Sequence, residues 1–401
     1  MKSNVCDNSA MRDCTGCGIC ASVCGTKAIN IQLDKDGFYK PIVDEEKCVE
    51  CGLCKKSCYR YDDNLIQSNE VKACYAAVNK DEKQLRSSSS GGISRVLMEE
   101  CIARGYKVFG CAYDVTKNIA KSIVASSFEE LDQFYGSKYF QSYTVEGFNE
   151  ILKDRTDQKY AIFGTPCHIY AFSQTNKYKR KPDNYLLVDI FCHGCPSFNL
   201  WKSYLQYTNQ ITGCQSYKKI AFRSKTHAWH EFCFDFLAES KQYSSKKSGD
   251  PFYELFFGMD VMNMACYDCN SRSSMSYADI RLGDYWGEKY DLNTKGVSAI
   301  AIGTTKGWEF FKAIESKVYV EDATFENMLV GQSYGKPHTF NAERRKYLLA
   351  NLNAEHNLQD VVKKYRTFFP FSSNVKRVMK DIIKSCPKCV YFPIKKLLHS
   401  I

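Results

Sequence analysis

The stretch CTGCGICASVC at residues 14–24 carries cysteines in the spacing C-x2-C-x2-C-x3-C, and CVECGLCKKSC at residues 48–58 repeats that spacing. Three thiolates on a short loop can bind three corners of a cubane iron–sulfur cluster, and the fourth cysteine of such a run binds the neighbouring cluster. We therefore assign the ligands of two 4Fe-4S clusters crosswise. The first cluster takes Cys14, Cys17, Cys20 and Cys58, and the second takes Cys48, Cys51, Cys54 and Cys24.

The doubled run resembles the bacterial two-cluster ferredoxins, which implies a small ferredoxin-like domain over residues 1–62. In one departure, Gly25 and Tyr59 stand where a proline usually follows the fourth cysteine, but those positions shape a turn and do not bind iron. The alternative interpretation is two zinc sites, which the doubled four-cysteine spacing disfavours. Because two adjacent clusters form an electron relay, we expect the rest of the chain to hold the electron donor or acceptor.

Composition and length limit the classes of protein that remain. The chain has 401 residues, of which 21 are cysteines, and a formal net charge of +10. This length predicts two or three domains, and the moderate charge does not by itself imply a nucleic-acid partner. Residues 1–11 contain no apolar segment of the signal-peptide kind, and no run of 18 apolar residues occurs. We therefore expect a cytoplasmic protein, in which clustered cysteines bind metal rather than form disulfides.

The chain after the cysteine runs alternates between strand-like and helical patterns. The strand-like runs are 73–79, 108–113, 160–163, 186–191 and 297–302, and the helical runs are 92–104, 198–207 and a segment from Lys306. This alternation predicts an α/β layered domain. The expected fold class is thus α+β overall, with the ferredoxin-like domain followed by a larger α/β domain and a helical C-terminal extension. The predicted divisions are 1–62, 70–155, 156–320 and 321–401.

A serine- and glycine-rich loop precedes the first of these helices. It consists of Ser88, Ser89, Ser90, Gly91 and Gly92. Hydroxyls, glycines and a helix N-terminus together can hold a phosphate. The alternative is a flexible loop with an ordinary helix cap.

Four further cysteines are placed where a third cluster could form. Cys167 and Cys192 follow two predicted strands, at the sheet edge where sites of α/β proteins assemble, and Cys266 and Cys269 form a C-x2-C pair. Four thiolates are enough for one cluster. Alternatively, some of these residues are buried apolar cysteines, which are common in protein cores.

Several blocks together resemble the beta subunit family of coenzyme F420 hydrogenases and dehydrogenases. They are 88–92, 164–167, 192–194, 266–269 and 283–287. The resemblance covers nearly all of residues 1–320, and the blocks occur in the family's order. It implies FAD, a cluster within the catalytic domain, and hydride exchange with coenzyme F420. Ferredoxin-fused members also occur in surface-polysaccharide gene clusters, where the substrate could be a sugar intermediate.

The resemblance also implies roles for individual residues. The loop 88–92 would hold the flavin pyrophosphate. Lys138 would stabilise negative charge on the reduced flavin, unless it is a solvated lysine. Arg223 would bind an anionic substrate or phosphate, unless it pairs with a surface carboxylate. His193 would relay protons, unless it has a structural hydrogen-bonding role. The third 4Fe-4S cluster would take Cys167, Cys192, Cys266 and Cys269, with Cys195 either competing as a ligand or packing.

The C-terminal segment 374–401 is strongly basic. It contains seven lysines or arginines and one aspartate, a net charge of +6, with apolar residues interleaved. Such a segment could contact a membrane surface, bind an acidic partner or form a solvated helix. Cys386 and Cys389 form a lone C-x2-C pair for which we predict no metal.

Three functions are compatible with these patterns. The first is an iron–sulfur flavoprotein oxidoreductase that exchanges electrons with a redox partner protein and acts on a small substrate. The second is an electron-transfer subunit with no substrate of its own, which serves a partner enzyme. The third is a non-catalytic protein of polysaccharide assembly, which the doubled cluster motif disfavours.

Overall fold

The structure is a computed structural model that describes residues 4–5, 14–176, 182–353, 355–372 and 379. Its N-terminal part has helix α1 (Ile19–Ser22), a hairpin of β1 (Ile29–Leu33) with β2 (Tyr39–Val43), and helix α2 (Leu53–Lys56). Gly18 and Gly52 stand immediately before the two short helices with φ values of 76° and 72°, a left-handed backbone that glycine adopts readily. The two cysteine runs therefore fold alike, as their repeated spacing predicts.

The rest of the described chain contains twelve more strands. They are β3 (Ala73–Asn79), β4 (Tyr106–Asp114), β5 (Ile119–Ala125), β6 (Ser142–Tyr143), β7 (Lys159–Phe163), β8 (Tyr185–Ile190), β9 (Lys219–Ser224), β10 (Cys233–Leu237), β11 (Gln242–Ser244), β12 (Ile280–Asp284), β13 (Ser298–Ile302) and β14 (Val318–Asp322). Nine of these strands form one sheet in the order β14-β3-β13-β12-β8-β7-β4-β5-β6. Strands β9, β10 and β11 form a separate antiparallel sheet.

Helices cover the large sheet and the small one. They are α3 (Glu82–Ser87), α4 (Ile93–Ala103), α5 (Val145–Lys153), α6 (Pro166–Asn176), α7 (Phe198–Thr212), α8 (Pro251–Gly258), α9 (Thr305–Ile314), α10 (Phe325–Met328), α11 (Ala342–Asn351) and α12 (Leu358–Arg366). Val108, Phe109, Ala161 and Ile162 on β4 and β7 are fully buried. Adjacent residues of one strand point to opposite faces, so the centre of the sheet is covered on both sides.

The centre of the large sheet is parallel, and this determines where a site can form. Strand β7 pairs in parallel with β4 on one side and with β8 on the other, and β8 pairs in parallel with β12. Their carboxyl ends therefore lie at one edge, and the segments that contain Cys167 and Cys192 leave β7 and β8 at that edge. The sequence prediction placed the cysteines in the same way.

The small sheet packs on an aromatic core with helices α7 and α8. Trp201 of α7 stacks on Phe234 of β10, with 5.9 Å between ring centroids. The C-terminal helix α12 joins the same core through buried Val361 and Tyr365. The helical extension is thus attached to the domain, and the predicted fold class is confirmed.

Two further expectations concern membrane-spanning helices and the basic C-terminal segment. Among the described residues, no helix combines the length and apolar character that crossing a bilayer requires. The basic segment 374–401, with Cys386 and Cys389, lies outside the described residues apart from Met379.

Candidate functional site

The first predicted group of four cysteines lines one small cavity between the loop before α1 and the hairpin. Its other walls include Ile31 and Pro41, and its thiols are those of Cys14, Cys17, Cys20 and Cys58. Burial raises the pKa of the Cys20 thiol well above its usual value, and neighbouring thiols raise it further: Cys17, Cys14, Cys58 and Cys54. Each of these four would lose its proton on binding iron, so the donor set fits a cluster.

The second predicted group lies nearer the surface. Cys51 is exposed, Cys54 is buried, and Cys24 packs in the same apolar cluster as Cys54. The amide nitrogen of Asn4 lies 3.6 Å from the Cys48 sulfur, the distance of a hydrogen bond to sulfur. The assignment of these four cysteines to the second cluster stays a prediction.

A cavity of about 1570 Å³ opens along the carboxyl edge of the large sheet. Six cysteines line it: Cys111, and a group of five that forms one wall, which are Cys167, Cys192, Cys195, Cys266 and Cys269. Cys167 stands in the first turn of α6 and Cys192 just after β8, while Cys266 ends a short 3₁₀ turn. Burial, with a smaller contribution from nearby Cys269, raises the pKa of the Cys192 thiol to about 11. The structure thus places the four cysteines predicted for a third cluster along one cavity. Cys195 is a fifth cysteine at the same wall.

Buried arginines support this wall. Arg281 on β12 and Asp189 on β8 form an ion pair whose side chains are both fully buried. Arg281 also donates to the carbonyl of Arg272, at 3.0 Å, and Arg272 donates to the carbonyl of Cys266, at 2.9 Å. The loop that carries Cys266 and Cys269 is therefore fixed to the sheet. Two guanidinium groups also bring positive charge close to thiols that become negative when they bind iron.

Tyr59 lies between the first group of cysteines and the five-cysteine wall. It is buried, and its ring contacts Tyr170 of α6 edge-on, with 5.7 Å between centroids. Burial raises the pKa of Tyr59, and the thiols that raise it further are Cys167, Cys269 and Cys17. No local sequence pattern marks this position beyond the missing proline.

Within the described part of the chain, no three histidine, cysteine or acidic side chains converge closely enough to hold a single metal ion.

The serine-rich loop lies against the same cavity, and the structure shows how it is held. Ser88, Ser89, Ser90 and Gly92 line the cavity, but Gly91 does not. The Ser88 and Ser90 hydroxyls donate to backbone carbonyls, while Ser89 accepts from the Ser137 N–H at 3.0 Å. Gly92 has φ 82° and precedes α4, whose N-terminus has no side-chain cap. The free N–H groups of this 11-residue helix thus face the cavity where a phosphate was predicted.

Lys225 fixes the loop from the opposite side, and sequence analysis missed it. Its ammonium donates to the carbonyls of Leu85, Ser90 and Lys295, at 2.5, 2.8 and 2.5 Å. Burial lowers the pKa of Lys225 to about 8. One signal was available, because Lys225 follows Arg223 by two residues at the end of β9, and residues so spaced share a strand face.

Lys138 lines the cavity, with its ammonium held by backbone. It donates to the carbonyls of Cys111 at 2.8 Å, Tyr135 at 3.0 Å and Gln133 at 3.4 Å. Burial lowers the pKa of Lys138, and nearby Cys111 raises it. The side chain is therefore not a solvated lysine, and its charge acts on the cavity from a fixed position.

Arg223 also lines the cavity, where it pairs with Asp284 at 2.8 Å. Its guanidinium lies over the rings of Phe232 and Trp286, 4.2 and 5.3 Å from their centroids. Its Nε and Nη2 atoms are buried without a hydrogen-bond partner. The indole N–H of Trp229 donates to Asp284 at 2.8 Å, which fixes the carboxylate that positions Arg223.

His193 lies on the cavity wall next to Cys192. Its Nδ1 is 3.0 Å from the Ser333 hydroxyl, whereas its Nε2 is buried without a partner. Burial lowers the pKa of His193 to about 4, so the ring is neutral near pH 7. The contact with Ser333 is the kind of hydrogen bond that the structural alternative expects, and a role of His193 in proton relay stays a prediction.

The dimensions of the cavity fit a large cofactor. Pockets for drug-sized ligands measure roughly 300–1,000 Å³, and this cavity, at about 1570 Å³, exceeds that range. An uncapped helix N-terminus, the ammonium group of Lys138 and six cysteines lie on its walls. These features suit a ligand with phosphates and a planar ring system, together with a second, smaller ligand.

Two family models match parts of the chain. Residues 157–327 match the family described as the C terminus of the coenzyme F420 hydrogenase/dehydrogenase beta subunit, and residues 13–60 match the 4Fe-4S dicluster domain. No curated protein matches the chain.

Among solved structures, a chain from a xenon-derivatized F420-reducing NiFe hydrogenase complex of Methanosarcina barkeri is similar, with a TM-score of 0.47 and 19% identity. The alignment covers 76% of this chain and 97% of that chain. Residues 157–327 are therefore similar to the C-terminal domain of the coenzyme F420 hydrogenase/dehydrogenase beta subunit, and a region that matches a 4Fe-4S dicluster domain precedes them.

Proposed function

We propose that this protein is an iron–sulfur flavoprotein oxidoreductase, which passes electrons between 4Fe-4S clusters and FAD, to or from coenzyme F420 or another small substrate. The family matches already make it an iron–sulfur protein related to the F420 hydrogenase beta subunit. One observation carries the rest of the proposal. A single cavity is lined by the serine-rich loop, by Lys138 and by six cysteines, among them the four predicted for the third cluster.

The positions of the thiols support an order for the relay. Cys167 of the third group is close enough to Cys17 of the first group for the Cys17 charge to affect its pKa, which burial raises most. Cys51 of the second group is exposed. We infer that electrons exchange with a redox partner protein at the second cluster, and then pass through the first cluster to the third.

FAD fits the residues on the cavity wall. Its pyrophosphate would lie at residues 88–92, with the N-terminus of α4 and the neighbouring N–H groups as donors. When bound, a flavin supplies the exchange between one-electron and two-electron chemistry that a cluster relay needs before hydride transfer. Lys138 would keep a fixed positive charge near it, and Arg223 would orient an anionic group of the substrate.

On this proposal, the four predicted segments have distinct tasks. Residues 1–62 carry the relay, 70–155 the phosphate loop and Lys138, 156–320 the third cluster, and 321–401 the extension. The substrate would be coenzyme F420, or a sugar intermediate if the protein serves surface-polysaccharide synthesis.

The second candidate function is an electron-transfer subunit without its own substrate. Two observations fit this function equally well, because both concern only the relay. Cys51 is exposed, and Cys17 lies close enough to Cys167 to affect its pKa. The cavity favours the oxidoreductase, because a relay subunit requires no space for a substrate.

Anaerobic purification followed by measurement of iron, acid-labile sulfide and flavin per chain tests the proposal. About twelve irons and one FAD are expected, since three 4Fe-4S clusters contain four irons each. Eight irons without flavin would contradict it and leave a two-cluster carrier. Reoxidation of the reduced protein by added F420 or by a sugar intermediate then separates an oxidoreductase from a relay subunit.

A further inference from the structure

The third site has one more thiol than a 4Fe-4S cluster requires. We propose that it offers two complete ligand sets, in which Cys167 and Cys195 are interchangeable and the other three cysteines are common. This inference rests on the proposed third cluster. Cys195 would then be a metal ligand and not only a packing residue.

Sequence spacing gives the first argument. Cys192-His193-Gly194-Cys195 is itself a C-x2-C pair, the same spacing as Cys266-x2-Cys269. Gly194 has φ 134°, a backbone conformation that residues with side chains rarely adopt. The chain can therefore turn tightly between the two sulfurs and present both to one site.

Backbone pairing gives the second argument. Pro196 and Met262 form an antiparallel bridge, flanked by hydrogen bonds from Asn263 N–H to the Cys195 carbonyl and from Ser197 N–H to the Val261 carbonyl, at 2.8 and 2.9 Å. This pairing joins the residues just after the Cys192–Cys195 pair to the residues just before the Cys266–Cys269 pair. The two pairs are thereby held facing each other.

Close approach gives the third argument. At Gly194, the neighbour of Cys195, an added Cβ would lie only 3.6 Å from the Cβ of Cys266. Cys195, like the other four cysteines, lines the large cavity. The two facing pairs thus supply four thiols without Cys167.

Cys167 differs from the other four in its surroundings. Its sulfur lies 3.0 Å from the Thr165 hydroxyl, in the first turn of α6, and it is the member of the wall near Cys17. One ligand set therefore includes the thiol nearest the first cluster, and the other set replaces it with Cys195. The choice between the two ligand sets therefore determines which sulfur of the third cluster lies nearest the first cluster.

Cysteine-to-serine variants of the anaerobically purified full chain test this inference through iron content and EPR spectra. We expect Cys167→Ser and Cys195→Ser each to keep about twelve irons, with an altered EPR signal for at least one of them. The double variant should keep about eight, since four irons belong to the third cluster. Cys269→Ser, which removes a ligand common to both sets, is the matched control and should keep about eight alone.

The eight irons of the ferredoxin domain show that a variant is folded. A fall to eight in Cys167→Ser alone would overturn the interchange while leaving the third cluster in place. Twelve irons in the double variant would overturn it as well, because neither thiol would then be a ligand. Wild-type protein with eight irons would instead contradict the third cluster itself, so the two failures are distinguishable.

Discussion

Lys225 joins three separate backbone segments, two of which belong to the serine-rich loop and the helix before it. Replacing it with methionine keeps the bulk of the side chain but leaves those carbonyls without their donor. We expect Lys225→Met to weaken flavin retention by tenfold or more, about 1.4 kcal/mol, with iron content unchanged. Equilibrium dialysis with FAD measures the effect. Lys219→Met, at an exposed position at the start of β9, the strand that Lys225 follows, is the control. Equal flavin affinity in both variants would refute this role.

Asp250 caps helix α8 and gives a prediction about pH. Burial raises its pKa to about 6, although Tyr204 and the N–H groups of Phe252 and Tyr253 donate to the carboxylate. Between pH 4 and 6 the unfolded chain has lost this proton and the folded chain retains it, so stability falls as pH rises. Asp250→Asn should remove up to roughly 3 kcal/mol of this pH dependence. Urea unfolding at pH 5.0, 5.5 and 7.0 compares the two proteins, and parallel curves would show that Asp250 is not the group responsible.

At the scale of single elements, the close contact between the serine-rich loop and the large sheet depends on Gly91. A Cβ added there would lie 2.3 Å from the Ala77 carbonyl oxygen and 2.6 Å from the Ser298 nitrogen, both of them backbone atoms in strands β3 and β13. We expect Gly91→Ala to destabilise the fold by about 1–3 kcal/mol, as overpacking does. Gly25→Ala, whose Cβ would meet nothing within 4 Å, is the control for thermal unfolding followed by circular dichroism. Equal midpoints would mean that the strands move apart without penalty.

The elements also show how far sequence could predict this site. Local spacing predicted the two similar cysteine loops, and the alternation of strands and helices predicted that Cys167 and Cys192 would meet at one edge. Contacts between distant segments were not predictable in this way. Lys225 acts through carbonyls at residues 85, 90 and 295, and Tyr59, which the sequence marked only by the missing proline, is buried between two groups of thiols. Apart from the spacing of Lys225 from Arg223 and the missing proline at Tyr59, neither role has a local pattern, because each depends on contacts between segments distant in sequence.

At the scale of the whole molecule, the proposed relay has an order that magnetic measurements can test. Cys17 and Cys167 place the first cluster beside the third, while Cys51 places the second cluster toward the surface. In fully reduced protein, the EPR signal of the third cluster should be broadened by its paramagnetic neighbour, the first cluster. Cys14→Ala, which removes a ligand of the first cluster, should narrow that signal. Cys48→Ala, the matched variant of the second cluster, should leave it broad. Narrowing by Cys48→Ala alone would reverse the order, because the second cluster would then be the neighbour of the third and the first would be the point of exchange with the partner.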